Sequence, residues 1–241
     1  MLTKLLLLIP SLMISSICFA CPNWQASIEN NQLAGWDYQL NPQNIQLVSN
    51  PSTSDSKVLK MSITPDAIWP NGHTRVEVKH NGCTTDEGDS TFMSWEFYLD
   101  FPIKTANNIA YWETDKTYQQ SMGFMLKPST KNAQTSNGHT ELAFFSSVPK
   151  RIVHWQQAIK IGMWNKIALA VKWSESHQKG RVSVWLNNKP VLTELAVKTK
   201  PDANALFIQM GLHRNQAESP LDSIYLRNAK EVLNLTQLLK N

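Results

Sequence analysis

Blocks of like charge are missing from this chain. It carries 23 Lys and Arg against 19 Asp and Glu, a net charge of +4. The basic residues are scattered, and without a clustered arm no nucleic acid is expected as a partner. A mild positive balance suits an acidic polymer as ligand, and equally serves solubility alone. Charge as a whole is modest, at 17% of residues against 42% hydrophobic, which excludes a disordered chain. After residue 20 no apolar run is long enough to span a membrane. H-E-x-x-H, P-loop, G-x-S-x-G and paired C-x-x-C motifs are all absent, which removes the chemistries those spacings serve. There is also no internal repeat and no low-complexity stretch, so residues 21–241 read as a single domain, expected to be monomeric.

Cysteine is scarce too, with three in 241 residues. The first twenty residues, MLTKLLLLIPSLMISSICFA, place Lys4 before an apolar run and end on small residues, as a secretory signal peptide does. Cys18 leaves with that segment. Cys21 and Cys83 remain, an even number in an oxidising compartment, and their disulfide would pin the mature N-terminus to the HNGCTTDEG loop. Closing a loop of this length stabilises by roughly 4 kcal/mol in the chain-entropy model. The rival reading is a lipoprotein acylated at Cys21, although Cys18 and Phe19 fit a lipobox poorly. Either way the protein is expected to be secreted or periplasmic.

What the chain does have is tryptophan, nine of them. Trp packs and stacks well, so a Trp-rich core and aromatic residues along a binding groove are expected. Strand-like runs dominate. They cover 58–64, 74–80, 91–100, 119–127, 141–147, 164–173, 181–188, 204–215 and 222–232, are rich in β-branched and aromatic residues, and are separated by turn formers. Only the tail EVLNLTQLLKN has helical spacing. Many short strands at this spacing predict an all-β sandwich or barrel.

Three of these strands have an unusual polar face. In HTRVEVKH the residues His73, Arg75, Glu77 and Lys79 alternate with Val76 and Val78. Such a row either meets water, with cross-strand ion pairs, or lines a polar cleft in which Glu77 fixes the Arg75 fork. The YQQSMGFMLK stretch offers Tyr118, Gln120, Met122 and Phe124. FIQMGLHRN alternates Phe207, Gln209, Gly211 and His213 against Ile208, Met210 and Leu212. Gly211 inside a strand marks a close approach of ligand or backbone. The acidic turn TTDEGDS could hold Ca²⁺ through Asp86, Glu87 and Asp89, and reads more simply as a solvated turn. ETDKTY, from Glu113 to Tyr118, begins like the E-x-D-x-x-E of laminarinase-type hydrolases but lacks its second glutamate.

These stretches together resemble the polysaccharide lyases of the heparin lyase I and glucuronan lyase type, related to alginate lyases. RVEV (75–78) resembles the family's R-x-E strand, and EGDSTFMSWEFYLDFP (87–102) its aromatic W-x-F segment. GMWNKIALAVKWSESHQKGRVSVWLNNKPV (162–191) resembles its paired hydrophobic strands, and FIQMGLHRN its F-K-x-G-x-Y-R strand. The resemblance implies a concanavalin A-like jelly-roll β-sandwich and β-elimination at a uronic acid, with no cofactor required. It makes Arg75, Gln120 and His213 the catalytic candidates. His73, Glu77, Lys79, Tyr118, Gln209 and Arg214 become the candidates for holding an acidic polysaccharide or oligosaccharide. In this register Met122 stands at the family's histidine, Gln209 at its lysine and His213 at its tyrosine, so the two usual proton-transfer groups are replaced. The alternative function on the same scaffold is a non-catalytic, lectin-like glycan-binding module.

Overall fold

The computed structural model describes residues 23–30, 32–83, 85–129, 139–214 and 221–239. The leader and Cys21 lie outside them; Cys83 lies within them. The strands are, in chain order, β1 (Trp24–Gln25), β2 (Ser27–Glu29), β3 (Gln32–Ala34), β4 (Tyr38–Leu40), β5 (Ile45–Ser49), β6 (Lys57–Ile63), β7 (Thr74–His80), β8 (Ser90–Tyr98) and β9 (Asn107–Thr114). They continue with β10 (Gln120–Pro128), β11 (Thr140–Ser146), β12 (Ile152–Ile159), β13 (Asn165–Lys172), β14 (Arg181–Leu186), β15 (Lys189–Ala196), β16 (Leu206–Arg214) and β17 (Asp222–Val232). One helical turn, α1 (Leu235–Leu239), closes the described tail.

Two sheets account for nearly all of these strands. One runs β15-β14-β13-β8-β17-β6-β5, with β1 added to β17; the other runs β12-β11-β10-β9-β16-β7-β4. β2 and β3 form a separate hairpin. Every pairing is antiparallel. Sequence neighbours repeatedly change sheet: β6 to β7, β8 to β9 and β16 to β17. The late strands β16 and β17 therefore slot between early ones, β16 between β7 and β9 and β17 between β6 and β8. That is the wiring of a jelly roll.

The period of two explains which residues meet between the sheets. Val76 and Val78 of β7, Trp112 of β9, Met122, Phe124 and Leu126 of β10, and Ile208, Met210 and Leu212 of β16 all enter the shared core. Met61, Met93, Trp95, Phe97, Ile167 and Leu169 meet them from the other sheet. Trp95 crosses edge-on to Phe124 at 5.4 Å, joining the two layers. Trp95, Trp112 and Trp173 are among the largest fully buried side chains, so the expected Trp-rich core is present.

One expected face is inverted. Met122 and Phe124 are wholly buried in the core rather than turned to a polar surface. The reason is a bulge at Ser121. Gln120 pairs with Glu113 and Met122 with Trp112, so two residues of β10 advance against one of β9. Period two, counted through a bulge, assigns every later side chain to the wrong side.

The outer face of the seven-stranded sheet is what remains for a ligand. One cross-strand row runs Tyr38, Lys79, Gln209, Tyr111, Gly123, Phe145, Val153. Gly123 packs tight against Tyr111, since a Cβ there would lie 2.5 Å from the Tyr111 Cβ.

Candidate active site

Arg75 is the centre of this face. Its Nε donates to Glu77 Oε2 at 2.6 Å, and its Nη2 donates to the Tyr111 hydroxyl at 2.8 Å and to Gln209 Oε1. Arg75 is 7% exposed and Glu77 0%, which removes the reading of this strand as a solvated surface. Burial works against the Glu77 charge and Arg75 offsets it. The same contact raises the Arg75 pKa against its own desolvation. A buried pair of this kind is held for placement more than for stability.

The network fixes two further things. Tyr111 also donates to Gln209 Oε1. With two donors on its oxygen, the Gln209 amide has one orientation, and its NH₂ is left to donate elsewhere. On Arg75, Nε and Nη2 are used and Nη1 has no partner among the described residues. Arg75 Nη1 and the Gln209 amide are thus two donors converging beside one groove. Burial pushes the Tyr111 phenol well above its ordinary range, and Glu77 adds to this, so Tyr111 stays a neutral hydrogen-bonding post.

Two imidazoles flank this centre on one side. His73 Nδ1 lies 2.9 Å from His213 Nε2, with the rings 5.1 Å apart and stacked. His213 is 6% exposed, and its Nδ1 is buried without a partner among the described residues. Burial, with Arg75, His73 and Arg151 acting in the same direction, holds His213 down to about 3. His73 is the more accessible ring and lines the groove.

On the other side stand Glu113, Tyr118, Lys79 and Phe207. Burial pushes the Glu113 carboxyl up to about 7, with Glu77 adding and Arg75 and Lys79 opposing. Lys79 Nζ sits 3.9 Å over the Phe207 ring. Tyr118 is 69% exposed at the rim, edge-on to Phe207 at 6.4 Å. Trp69 and Tyr38 complete an aromatic margin.

Of the expected site residues, His73, Arg75, Glu77, Lys79, Tyr118, Gln209 and His213 come together here. Gln120 does not line the groove; its Oε1 accepts from Ser147 Oγ at 3.3 Å, beyond Glu113. Arg214 turns away to Asp222, in an ion pair, and to Asn107 at 2.8 Å. Gly211 does not open space for a sugar ring. A Cβ there would lie 2.1 Å from the Val76 carbonyl oxygen, so the glycine serves the close approach of β16 to β7. Tyr111 and Glu113 were missed. The strand beside β16 is β9, not β10, and the only sequence signal for it was the acidic start of ETDKTY.

Among the described residues no group of three His, Cys, Asp or Glu is arranged to hold a metal. In the acidic turn, Glu87 accepts from Ser174 Oγ and the Glu175 amide, and Asp89 from the Asp86 amide. A second depression lies against the other sheet, beside Ile28, Leu33 and Trp36. Its Arg227 is committed to Glu96 at 2.7 Å, and it lacks the paired proton-transfer groups of the first. No described helix is long and apolar enough to cross a membrane.

No curated protein sequence matches the chain. Among solved structures, it is similar to the endo-β-1,4-glucuronan lyase of the fungus Trichoderma reesei, with a TM-score of 0.64 at 18% identity, covering 85% of this chain and 94% of that one. An alginate lyase in complex with alginate trisaccharide superposes with a TM-score of 0.56 at 12% identity, covering 88% and 98%. An alginate lyase of Pseudomonas aeruginosa gives 0.53 at 11%, covering 88% and 98%. At these identities the likeness establishes the jelly-roll fold. The family model described as Polysaccharide lyase matches residues 23–230, nearly the whole described chain, and the protein belongs to the polysaccharide lyase family.

Proposed function

We propose that the groove binds a uronate-containing polysaccharide and cleaves it by β-elimination. The observation that carries this is the arrangement around Arg75. Its guanidinium is locked by Glu77, Tyr111 and Gln209, so that one donor edge and one amide face the same point. The C5 proton of a uronate is too weakly acidic to remove while the adjacent carboxylate keeps its charge. Arg75 Nη1 and the Gln209 amide neutralise that carboxylate, and so stabilise the enolate-like transition state.

Two proton-transfer stations flank this point, as the reaction needs. The C5 proton is taken by the His73–His213 pair, entering through the accessible His73. The C5–H electron pair forms the C4–C5 double bond, and the C4–O4 bond breaks with its electrons on O4. That oxygen is protonated from the opposite side by Glu113, whose raised pKa keeps it an acid near neutrality, with Tyr118 beside it at the rim. The products are a fragment ending in an unsaturated uronate and a fragment with a free hydroxyl. Lys79, Phe207 and Trp69 hold neighbouring sugars. The protein acts after export, with Cys21 and Cys83 as its cross-link.

The test is absorbance of the unsaturated product over a panel of polyuronates and neutral glycans. Cleavage confined to uronate polymers supports the reading. Binding of those polymers with no unsaturated product would replace it with the lectin-like alternative.

A further inference from the structure

Arg151 is not among the groove-lining residues, yet it belongs to the same face. It follows β11, and its Cζ lies 3.7 Å over the ring of Phe145, which lies in the cross-strand row that contains Gln209, Tyr111 and Gly123. Its Nη2 donates to Asn108 Oδ1 at 2.6 Å. Asn108 is opposite His213, and His213 is opposite Arg75. Arg151 is also one of the charges that depress His213.

The guanidinium is therefore held at two points without being neutralised. Phe145 supplies a flat support, and a stacked Arg over an aromatic ring keeps its plane fixed. Asn108 accepts one hydrogen bond and carries no charge. No carboxylate pairs with Arg151 among the described residues. Other basic groups of this sheet have a local role already: Arg75 has Glu77, Arg214 has Asp222, and Lys127 has Glu141 at 3.6 Å. Arg151 alone of the face's arginines offers a planar fork, exposed and rigid, with no internal anion. The strands of Arg75 and Asn108 are two strand spacings apart, ~10 Å, a separation that a chain of linked sugars crosses and a single sugar does not.

We propose that Arg151 binds the carboxylate of a second uronate, further along the polymer than the one neutralised at Arg75. Gly123, which lies between Tyr111 and Phe145 in the row, adds no side chain between the two sites. The site then reads two acidic sugars and selects runs of uronate over uronates flanked by neutral sugars. This rests on the reading of the groove as a uronate site.

The experiment is calorimetric binding of size-graded polyuronate oligomers, and of a polymer alternating uronate with neutral sugar, to the wild type and to Arg151→Gln and Arg151→Lys. Arg151 is exposed, so both variants are expected to keep the wild-type melting temperature. The wild type should gain affinity at the oligomer length that reaches Arg151, and should prefer the homopolymer. Arg151→Gln should lose that step, with a loss of about 5- to 20-fold, and the preference with it. Arg151→Lys should recover only part, because it keeps charge without the fork. Equal affinities of wild type and Arg151→Gln at every length would overturn the proposal, and so would a wild type that binds no polyuronate. Binding with the Arg151 step present but no unsaturated product would contradict the lyase reading and leave the second subsite standing.

Discussion

His73 Nδ1 and His213 Nε2 are 2.9 Å apart, and His213 is the more buried of the two rings. One nitrogen of the pair must donate and the other accept, so the two imidazoles share one hydrogen bond. His213, held to about 3, is neutral throughout the range in which His usually switches. Held so low, His213 does not itself supply a rate limb near neutrality.

A stability effect follows from that shift. The unfolded chain binds a proton at His213 from about pH 6.5 downward, and the folded chain only near 3. Between these values the unfolded state holds more protons, so stability rises with pH and is lost as pH falls. Melting temperatures from about pH 6.5 to 4 should therefore fall less steeply for His213→Gln than for the wild type. Parallel curves would mean that His213 is charged in the fold.

Glu113 has the opposite sign. Its folded pKa of about 7 lies above the ordinary value of 4.5, so its contribution is fully present below about 4.5 and is lost as pH rises through 7. As proton donor it should also cause the rate to fall above about pH 7. Glu113→Gln should slow turnover by roughly 10²-fold and remove that falling limb. An unchanged limb in the variant would assign it to another group.

Gly211 should tolerate no side chain. Its φ of +149° and the 2.1 Å approach of a Cβ to the Val76 carbonyl both oppose alanine. Gly211→Ala should cost more than ~2 kcal/mol in denaturant unfolding. A smaller loss would show that β16 can move away from β7 at little cost.

A Cys21–Cys83 disulfide is predicted in the mature chain. Intact mass should rise by two alkyl groups only after reduction. Alkylation without reduction, or a diacylglycerol mass on Cys21, would contradict it.

Legibility from sequence followed regularity. TRVEVKH and FIQMGLHRN alternate cleanly over their sheet spans, and both gave their polar and core faces correctly from sequence alone. The helical tail was legible from its leucine spacing, and Leu238 is the residue it buries. β9 was not seen. It opens on two asparagines and carries a bulge at Ile109, so Ile109, Ala110 and Trp112 all face the core and no period appears. With β9 missing, Gln120 of β10 reads as if it lay beside the FIQMGLHRN strand, whose neighbour is β9. β12 and β15, edge strands with exposed residues, gave no core pattern to read. Arg214 reads from sequence as a ligand contact because nothing local points to Asp222, its partner on the next strand.

The central claim is that Arg75 neutralises a uronate carboxylate through a fork that only arginine supplies. The direct measurement is kcat/KM for release of unsaturated uronate by Arg75→Lys, alongside its melting temperature. Lysine keeps the charge but cannot hold Glu77, Tyr111 and Gln209 while presenting a further donor. The account predicts a loss of about 10²- to 10³-fold in a variant that still folds. Wild-type kcat/KM in Arg75→Lys, with stability lowered, would show that Arg75 is only the structural partner of Glu77 and contradict the account.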